Sequence, residues 1–359
     1  MTVPLFASSL AEYKERLADR LAEVAASGRY ILGPEVEAFE REFAAYSGAR
    51  HCIGVGNGTD ALTIALRALG VSEGDDVVVP SFTFYATAEA VVNAGARPVF
   101  CDIDPATFCV TPETVADALT ERTKAVVPVH LFGNVAPLLD GLEVPVLADA
   151  AQAAGAGREG DPIGKLADAS TLSFFPSKNL PCLGDGGAIL TDDDEVAALA
   201  GRLRFHGSED KRTHTEVGYN SRLDALQAGV LRLLLGELDA WNDARRSVAG
   251  AYEEQGLGEL PGIELPVPTA GAQHVYHLYV VRHERARELA AALAESGVEA
   301  RSYYEAPVHR QPAMVRYVPG GLELPGTDEA ARTNLALPMG PALDADAVAE
   351  VCAAARAAL

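Results

Sequence analysis

The most informative segment of the sequence surrounds a lysine. Lys178 stands in SFFPSKNLPCLGDGG (173–187), after a short apolar run and before a glycine-rich turn. A lysine with its ordinary pKa of about 10.4 is protonated at neutral pH and is not a nucleophile. Burial or a neighbouring cation lowers that pKa and frees the amine to form a Schiff base with an aldehyde. An ordinary surface lysine is the alternative, and the polar and aromatic residues that follow the other apolar runs decide between the two.

An acid and an amide follow a second apolar run. Asp149 ends the run VPVLAD, and Gln152 comes three residues later. Pyridoxal phosphate needs an anion beside its ring nitrogen, because that anion keeps the nitrogen protonated and the ring an electron sink. Asp149 is a candidate for the anion, and Gln152 for a donor to the phenolic oxygen of the ring. A helix N-cap is the alternative role for Asp149.

A turn suited to phosphate follows the run HCIGV (51–55). Gly58 and Thr59 open an amphipathic helical stretch there, and the amides at a helix N-terminus favour a phosphate. The glycines at 54, 56 and 58 give G-x-G-x-G rather than the G-x-G-x-x-G of a dinucleotide fingerprint, so that interpretation is weak. A plain tight turn is the other alternative.

Two further segments offer contacts to a ring and to an anion. Phe84 and Tyr85 follow the run DVVV (76–79), where an aromatic side chain can stack on a flat heterocycle or pack in the core. Asn220 and Arg222 stand in a polar loop, either as anion ligands or as turn residues with a surface ion pair.

The elements that must position these residues are short strands alternating with helices. Alternation of this kind predicts a mostly parallel α/β sheet, in which ligands lie beyond the carboxyl ends of the strands. Runs that are apolar throughout indicate strands buried on both faces. The seven runs are 51–55, 76–79, 98–102, 124–130, 144–148, 170–175 and 187–190.

The pattern changes after residue 222. A long helical stretch (LDALQAGVLRLLLGELDAW) leads to a strand-like HVYHLYVVR, a helical RARELAAALAESG and a closing helix, DADAVAEVCAAARAAL. We therefore predict a large α/β domain over 1–240 and a smaller α+β domain over 241–359. A length of 359 residues, at about 150 residues per domain, agrees with two domains.

Composition excludes several functions. With 29 Lys and Arg against 51 Asp and Glu, the net charge is −22, which disfavours nucleic acid and anionic membranes as partners. An anionic substrate would therefore need local positive charge at its site. Five cysteines without a C-x-x-C pair, no signal peptide and no long apolar run predict reduced thiols and a cytoplasmic protein without a membrane span. No metal site is predicted.

Five segments, in this order, resemble the DegT/DnrJ/EryC1/StrS family of nucleotide-sugar aminotransferases. They are GTDAL (58–62), PSFTFYATA (80–88), DAAQA (149–153), SFFPSKNL with GDGGA (173–188) and GYNSRLDALQAG (218–229). SGRYILGPEVEAFEREFA (27–44) and YYEAPVHRQPA (303–313) fit too, so the resemblance covers nearly the whole chain. It implies a fold-type I pyridoxal-phosphate-dependent transferase, with a mostly parallel seven-stranded sheet in the large domain.

The resemblance also implies a role for each matching residue. Lys178 would form the Schiff base and carry the proton between the amino acid and the coenzyme, and Asp149 would pair with the pyridine nitrogen. The other cofactor contacts would be Gln152 to the ring hydroxyl, Gly58, Thr59 and Ser173 to the phosphate, Phe84 rather than Tyr85 stacked on the ring, and Asn220 reaching the phosphate from a neighbouring subunit of a homodimer. The sugar-nucleotide pocket would be lined by Arg222, Tyr304 and His309.

The implied reaction is transfer of an amino group from glutamate to a keto group on a nucleotide-activated hexose. The F-F-P-S-K and G-D-G-G forms resemble members acting at C3, which favours a 3-keto substrate on UDP or dTDP, either a hexosaminuronate or a 6-deoxyhexose. Action at C4 is the alternative, and those members commonly have a histidine near the lysine. A sugar dehydratase is disfavoured by Lys178, where the resembling dehydratases have histidine. A regulator that binds the coenzyme without catalysis is disfavoured by the charge and by the absence of a DNA-binding segment.

Overall fold

The computed structural model describes residues 2–359, which contain eleven α-helices and twelve strands. The helices are α1 (Lys14–Ala26), α2 (Pro34–Ser47), α3 (Gly58–Ala68), α4 (Ala86–Asn93), α5 (Pro112–Ala116), α6 (Asp194–Leu203), α7 (Ala225–Leu235), α8 (Leu238–Glu254), α9 (Ala286–Glu295), α10 (Pro325–Thr333) and α11 (Ala345–Ala358). The strands are β1 (His51–Val55), β2 (Asp76–Pro80), β3 (Arg97–Cys101), β4 (Thr123–Val126), β5 (Leu147–Asp149), β6 (Gly157–Arg158), β7 (Asp161–Pro162), β8 (Ala169–Ser173), β9 (Gly187–Thr191), β10 (Ala272–Gln273), β11 (Tyr279–Arg282) and β12 (Asn334–Leu337).

The centre of the protein is formed by two adjoining sheets, with strand orders β1-β9-β8-β5 and β3-β2-β4. Isolated parallel bridges, Val126 with Val146 and Val129 with Asp149, link β4 to the β5 segment across the gap between the sheets. The α/β fold class is confirmed. The predicted single seven-stranded sheet takes the form of a four-stranded and a three-stranded sheet joined by these bridges.

In the two central sheets three of the five strand pairs are parallel, and both antiparallel pairs involve β9. It runs antiparallel to both of its neighbours, β1 and β8. The chain passes from β8 to β9 through the loop 174–186, which contains no helix. A connection without a crossover helix turns the chain back on itself, so it yields an antiparallel pair. That loop carries Lys178.

The buried strands place alternate side chains on opposite faces of the sheet, as strand geometry requires. Val77 and Val79 of β2 pack with Ile64 of α3 in one core cluster, whereas Val78 packs with Phe82 in another. Apolar side chains on both faces fix the position of β2, and therefore the position of the residues that follow it.

The long helical stretch predicted after residue 222 is divided into two helices. α7 ends at Leu235 and α8 begins at Leu238, with Gly236 between them, since glycine weakens a helix. Leu238 and Trp241 pack with the large α/β unit, while Tyr252 at the other end of α8 packs with the C-terminal strands and helices. The helix thus spans residue 240, and the domain boundary there stays a prediction.

The first residues of the described chain pack against the C-terminal unit. Val3 bridges Val298, and Phe6 bridges Met339 beyond the end of β12. The C-terminal unit itself contains the antiparallel pair β11–β12 covered by α9 and α11. The N-terminal segment therefore extends along the C-terminal unit before α1 begins.

Candidate active site

Lys178 lies in a loop whose backbone is fixed by hydrogen bonds. Its N–H donates to the Phe175 carbonyl at 2.8 Å, and the Cys182 N–H donates to the carbonyl of buried Phe174 at 2.7 Å. The loop ends at Gly187, where a Cβ would lie 2.4 Å from the carbonyl oxygen of Asn57. Glycine is therefore required at 187 for β9 to approach the turn before α3.

Asp149 ends β5 and is buried, with an exposure of 6%. Its Oδ2 accepts a hydrogen bond from the Thr87 hydroxyl at 2.8 Å, and its Oδ1 accepts one from the Ala151 N–H at 3.2 Å. No α-helix begins at Asp149, because the following residues form turns. The carboxylate is therefore held in place at a strand end rather than used as a helix cap.

Lys178 and Asp149 influence each other electrostatically. Burial lowers the pKa of the Lys178 amine to about 8, and the Asp149 carboxylate opposes that shift. Burial raises the pKa of Asp149, while its hydrogen bonds from Thr87 and Ala151 and the charge of Lys178 act in the opposite direction. A substantial fraction of Lys178 is consequently neutral near physiological pH and able to attack a carbonyl carbon.

A wall of polar and aromatic groups stands beside Asp149. Gln152 accepts from the Phe132 N–H at 2.7 Å and donates from Nε2 to the Tyr304 hydroxyl at 3.2 Å. The Tyr304 ring lies 6.0 Å from the ring of Phe84, which is 56% exposed. An exposed phenylalanine at a strand end offers a face on which a flat ring can stack.

A group of residues suited to an anion, here called the phosphate cradle, lies at the start of α3. The Asn57 side chain caps the helix by accepting a hydrogen bond from the Asp60 N–H at 2.8 Å. The backbone N–H groups of Gly58 and Thr59 stand at the first positions of the helix, where no carbonyl of a preceding turn is available to accept from them. A Cβ on Gly58 would lie 2.8 Å from the Cβ of Ser173. The absence of that Cβ lets the Ser173 hydroxyl approach the helix N-terminus, which favours an anion.

This set of residues fits pyridoxal phosphate. It supplies a nucleophilic amine for the aldehyde, a buried carboxylate for the pyridinium nitrogen, an exposed ring for stacking and free amides for the phosphate. The structure brings together Lys178 and Asp149 electrostatically, Gln152 and Tyr304 by a hydrogen bond, and Gly58 and Ser173 by direct packing.

The other predicted residues lie at the edges of this group. Asn220 is exposed, and Arg222 lies with its guanidinium carbon 6.0 Å from the centre of the Phe205 ring. Between them, Ser221 accepts the Gly56 N–H at 3.0 Å, which places both next to the phosphate cradle. Within residues 2–359, Arg222 has no carboxylate partner, so its charge is available for an anion.

His309 is placed differently from the other predicted residues. It is buried, with Nδ1 2.5 Å from the Ser81 hydroxyl, and its N–H also donates to that hydroxyl at 3.3 Å. It forms no hydrogen bond to Lys178, Asp149, Gln152 or Tyr304. These contacts anchor the 308–310 turn to the end of β2.

The sequence reasoning missed Thr87. Its hydroxyl bonds to the Asp149 carboxylate and to the hydroxyl of Thr83 at 3.1 Å. The signal was available, since both threonines stand in the segment PSFTFYATA that follows a buried strand. A threonine there looks like an ordinary helix-start residue unless the opposite strand end is known.

Other features of the described chain can be stated briefly. Across residues 2–359, no three His, Cys, Asp or Glu side chains form a group suited to a metal, and none of the helices has the length and apolar character to cross a membrane. All five cysteines are free thiols in buried positions.

The fold and site define a pyridoxal-phosphate-dependent transferase of fold type I. Comparison with known proteins gives its family: the model of the DegT/DnrJ/EryC1/StrS aminotransferase family matches residues 11–356. The chain belongs to this family and is a pyridoxal-phosphate-dependent sugar aminotransferase.

Individual relatives agree with this assignment over nearly the whole chain. A pleiotropic regulatory protein of Geobacillus stearothermophilus is 44% identical, over 96% of this chain and 95% of its own. The dTDP-3-amino-3,4,6-trideoxy-alpha-D-glucose transaminase of Streptomyces venezuelae is also 44% identical, over 93% of this chain and 90% of its own. The crystal structure of S. venezuelae DesV with a ketimine intermediate superposes with a TM-score of 0.95, at 42% identity, covering 99% of this chain and 98% of that one.

Proposed function

We propose that the protein transfers an amino group from glutamate to the 3-keto group of a hexose carried on dTDP or UDP. The observation that carries this proposal is a buried Lys178, on which the charge of Asp149 acts, in a chain 44% identical to a dTDP-3-amino sugar transaminase. The F-F-P-S-K and G-D-G-G forms of the lysine loop support C3 over C4 as the position of the keto group.

Lys178 is the acid and base of the proposed reaction. The cofactor, when bound, supplies an electron sink that stabilises negative charge at the carbon losing its proton. A group whose pKa lies near the working pH exchanges protons most effectively, and burial places the pKa of Lys178 at about 8. The Lys178 amine can therefore accept a proton at one carbon and deliver it at another.

Asp149 and its partners orient the ring for that proton transfer. The Thr87 hydroxyl and the Ala151 N–H each donate to one oxygen of the Asp149 carboxylate, which holds the group in one orientation and leaves acceptor capacity for a ring N–H. Gln152 donates a hydrogen bond to the Tyr304 hydroxyl, and these two side chains form a polar surface beside Asp149. These residues exclude alternative ring positions without taking part in bond making.

The sugar has an available cleft of about 270 Å³ beside the stacking ring. Phe84, Tyr304, Ser302 and Gln311 line it, and Tyr85 forms part of its wall. We assign the hexose to this cleft, with the diphosphate near Arg222, whose unpaired guanidinium offsets the net charge of −22. His309 supports the cleft through the turn that also carries Val308.

A homodimer completes the proposed site. The exposed apolar side chains Tyr30, Ile31, Phe175 and Leu183 have exposures between 44% and 52% and lie in the lysine loop or in the segment bridged to Asp224. Exposed apolar residues near a site are typical of a subunit interface. We propose that exposed Asn220 reaches the phosphate of the second subunit; the cytoplasmic location stays a prediction.

A regulatory role is the second candidate, since one relative is named a pleiotropic regulatory protein. The Lys178–Asp149 pair supports catalysis instead, because a regulator does not need an amine with its pKa lowered to about 8.

The test is a panel of nucleotide-linked keto sugars prepared in place by partner enzymes. The panel crosses 3-keto with 4-keto hexoses and deoxythymidine with uridine carriers, with glutamate as donor. We expect an amino sugar from a 3-keto member, detected by mass spectrometry together with 2-oxoglutarate. Turnover of 4-keto members alone would contradict the C3 assignment, and conversion of the cofactor by another amino acid but not glutamate would contradict the donor.

A further inference from the structure

A small cavity separates the lysine loop from the N-terminal segment. It has a volume of about 50 Å³ and is lined by residues 6–10, by Pro176–Asn179 of the lysine loop and by Arg245 of α8. Lys178 therefore borders this cavity, in addition to its electrostatic interaction with Asp149. None of the residues so far assigned to the cofactor, except Lys178, lies on it.

Arg245 is the notable group in this cavity. It is 6% exposed, and its Nη1 donates to the carbonyls of Tyr276 at 3.0 Å and His277 at 3.4 Å. Its buried Nε has no hydrogen-bond partner. Throughout residues 2–359, no carboxylate lies within ion-pairing distance of this guanidinium. Burial lowers its pKa to about 10, so it stays charged at neutral pH.

A buried cation without a counter-charge is costly, since charges removed from water need a partner. The chain contains 51 acidic residues, yet none within residues 2–359 pairs with Arg245. The cavity is lined by apolar side chains, among them Phe6 and Trp241, and by several serines. Ser9 is 8% exposed and its hydroxyl caps no helix N–H, and Ser177 also borders the space.

We propose that this cavity is a carboxylate subsite, with Arg245 as the binding cation and Ser9 and Ser177 as hydroxyl donors. A guanidinium matches a planar carboxylate in a two-point hydrogen bond. The volume accommodates a carboxylate but not a nucleotide or a diphosphate. Because the cavity borders Lys178, the ligand is a carboxylate of the amino donor or of its 2-oxo acid. The identity of that donor rests on the proposed function.

The experiment measures binding of 2-oxoglutarate to the holoenzyme in its aldehyde form, in which no amino group is available for transfer. Titration calorimetry compares the wild type with Arg245→Gln, Arg245→Lys and the matched control Arg246→Gln, whose native side chain pairs with Asp243. We expect binding to weaken about 10- to 100-fold in Arg245→Gln, since a charge-assisted hydrogen bond is lost. We expect partial rescue in Arg245→Lys and no change in the control.

A carboxylate-free amine separates binding from structure. Propylamine should react with the lysine-linked cofactor equally well in the wild type and in Arg245→Gln, as followed by visible absorbance. Equal weakening of propylamine and 2-oxoglutarate would show a purely structural role and overturn the proposal. Unchanged 2-oxoglutarate binding in Arg245→Gln, or no binding to the wild type, would overturn it as well.

Two further arms complete the design. If Arg245→Gln does not fold, Ser9→Ala and Ser177→Ala take its place. We expect a several-fold loss of 2-oxoglutarate affinity in at least one of these variants. No loss of affinity in either variant would contradict the subsite. Glucuronate serves as a second probe: weakening of glucuronate alone would retain the carboxylate subsite but overturn its assignment to the donor. None of these measurements uses a keto sugar, so failure of the proposed acceptor leaves them unaffected.

Discussion

Two buried cations, Lys178 and Arg245, border one cavity but have different electrostatic surroundings. The charge of the Asp149 carboxylate acts on Lys178, whose pKa lies at about 8. Arg245 faces no carboxylate, and its hydrogen bonds go to two backbone carbonyls. Burial lowers the pKa of both cations. At Lys178 the Asp149 carboxylate limits that shift, whereas no carboxylate acts on Arg245, and its charge remains available to a ligand.

The most severe test of this comparison removes the lysine. Lys178→Ala should abolish the covalent link to pyridoxal phosphate and lower the transamination rate by about 10⁴-fold, because both the amine and the proton carrier are lost. The measurements are borohydride trapping followed by peptide mass spectrometry, and glutamate-dependent turnover. Lys165→Ala is the control, since that lysine pairs with Asp192 at the surface. A trapped adduct at another lysine in Lys178→Ala would refute the assignment.

Removal of the counter-charge should have the next largest effect. Asp149→Asn leaves the shape intact but removes the anion that we propose pairs with the ring nitrogen, and we expect a loss of about 10²- to 10³-fold in rate. It should also lower the pKa of Lys178 further, because Asp149 opposes the effect of burial on that amine. The pH dependence of the rate reports the second effect. Asp161→Asn, at an exposed position, is the control. An unchanged pH profile in Asp149→Asn would mean that Asp149 and Lys178 do not interact.

A smaller effect is expected from Thr87, which supports Asp149 indirectly. Thr87→Val keeps the shape but removes the 2.8 Å hydrogen bond to the carboxylate, which is worth about 1.5–3 kcal/mol when the acceptor is charged. We expect affinity for pyridoxal phosphate to fall by roughly tenfold or more. Thr83→Val is the matched control, because Thr83 bonds to Thr87 and not to Asp149. Equal effects of the two substitutions would assign Thr87 a packing role only.

The sequence allowed the residues on the Asp149 side of this comparison to be predicted. Gly58, Phe84 and Asp149 follow apolar runs, and Ser173 lies within one. Because the carboxyl ends of neighbouring strands meet at one edge of a sheet, the sequence predicts that these residues lie close together. The direction of β9 was not predictable in the same way. Periodicity identifies a buried strand, but it does not show whether the preceding loop turns back or crosses over.

Arg245 was not predicted from the sequence, for a different reason. It stands in a helical stretch next to Arg246, where a pair of arginines is typical of a solvated face. A signal was nevertheless present: Arg245 follows Trp241 by four residues and precedes Val248 by three, so helical spacing places it on the buried stripe of α8. A charged residue on the apolar stripe of a helix is therefore a candidate functional residue, as a polar residue at a strand end is.

The pH dependence gives the finest separation of the two cations. Lys178 loses its proton around pH 8, so the rate at which cofactor-free protein captures pyridoxal phosphate should rise through that pH and then level off. Arg245 keeps its proton until about pH 10, so 2-oxoglutarate affinity should stay constant up to about pH 9 and weaken only above it. Both curves are measured on cofactor-free protein, in which Lys178 carries a free amine, by absorbance and by calorimetry. If 2-oxoglutarate affinity fell together with Lys178 deprotonation near pH 8, the ammonium of Lys178 would be the carboxylate ligand, and the division of roles between the two cations would be wrong.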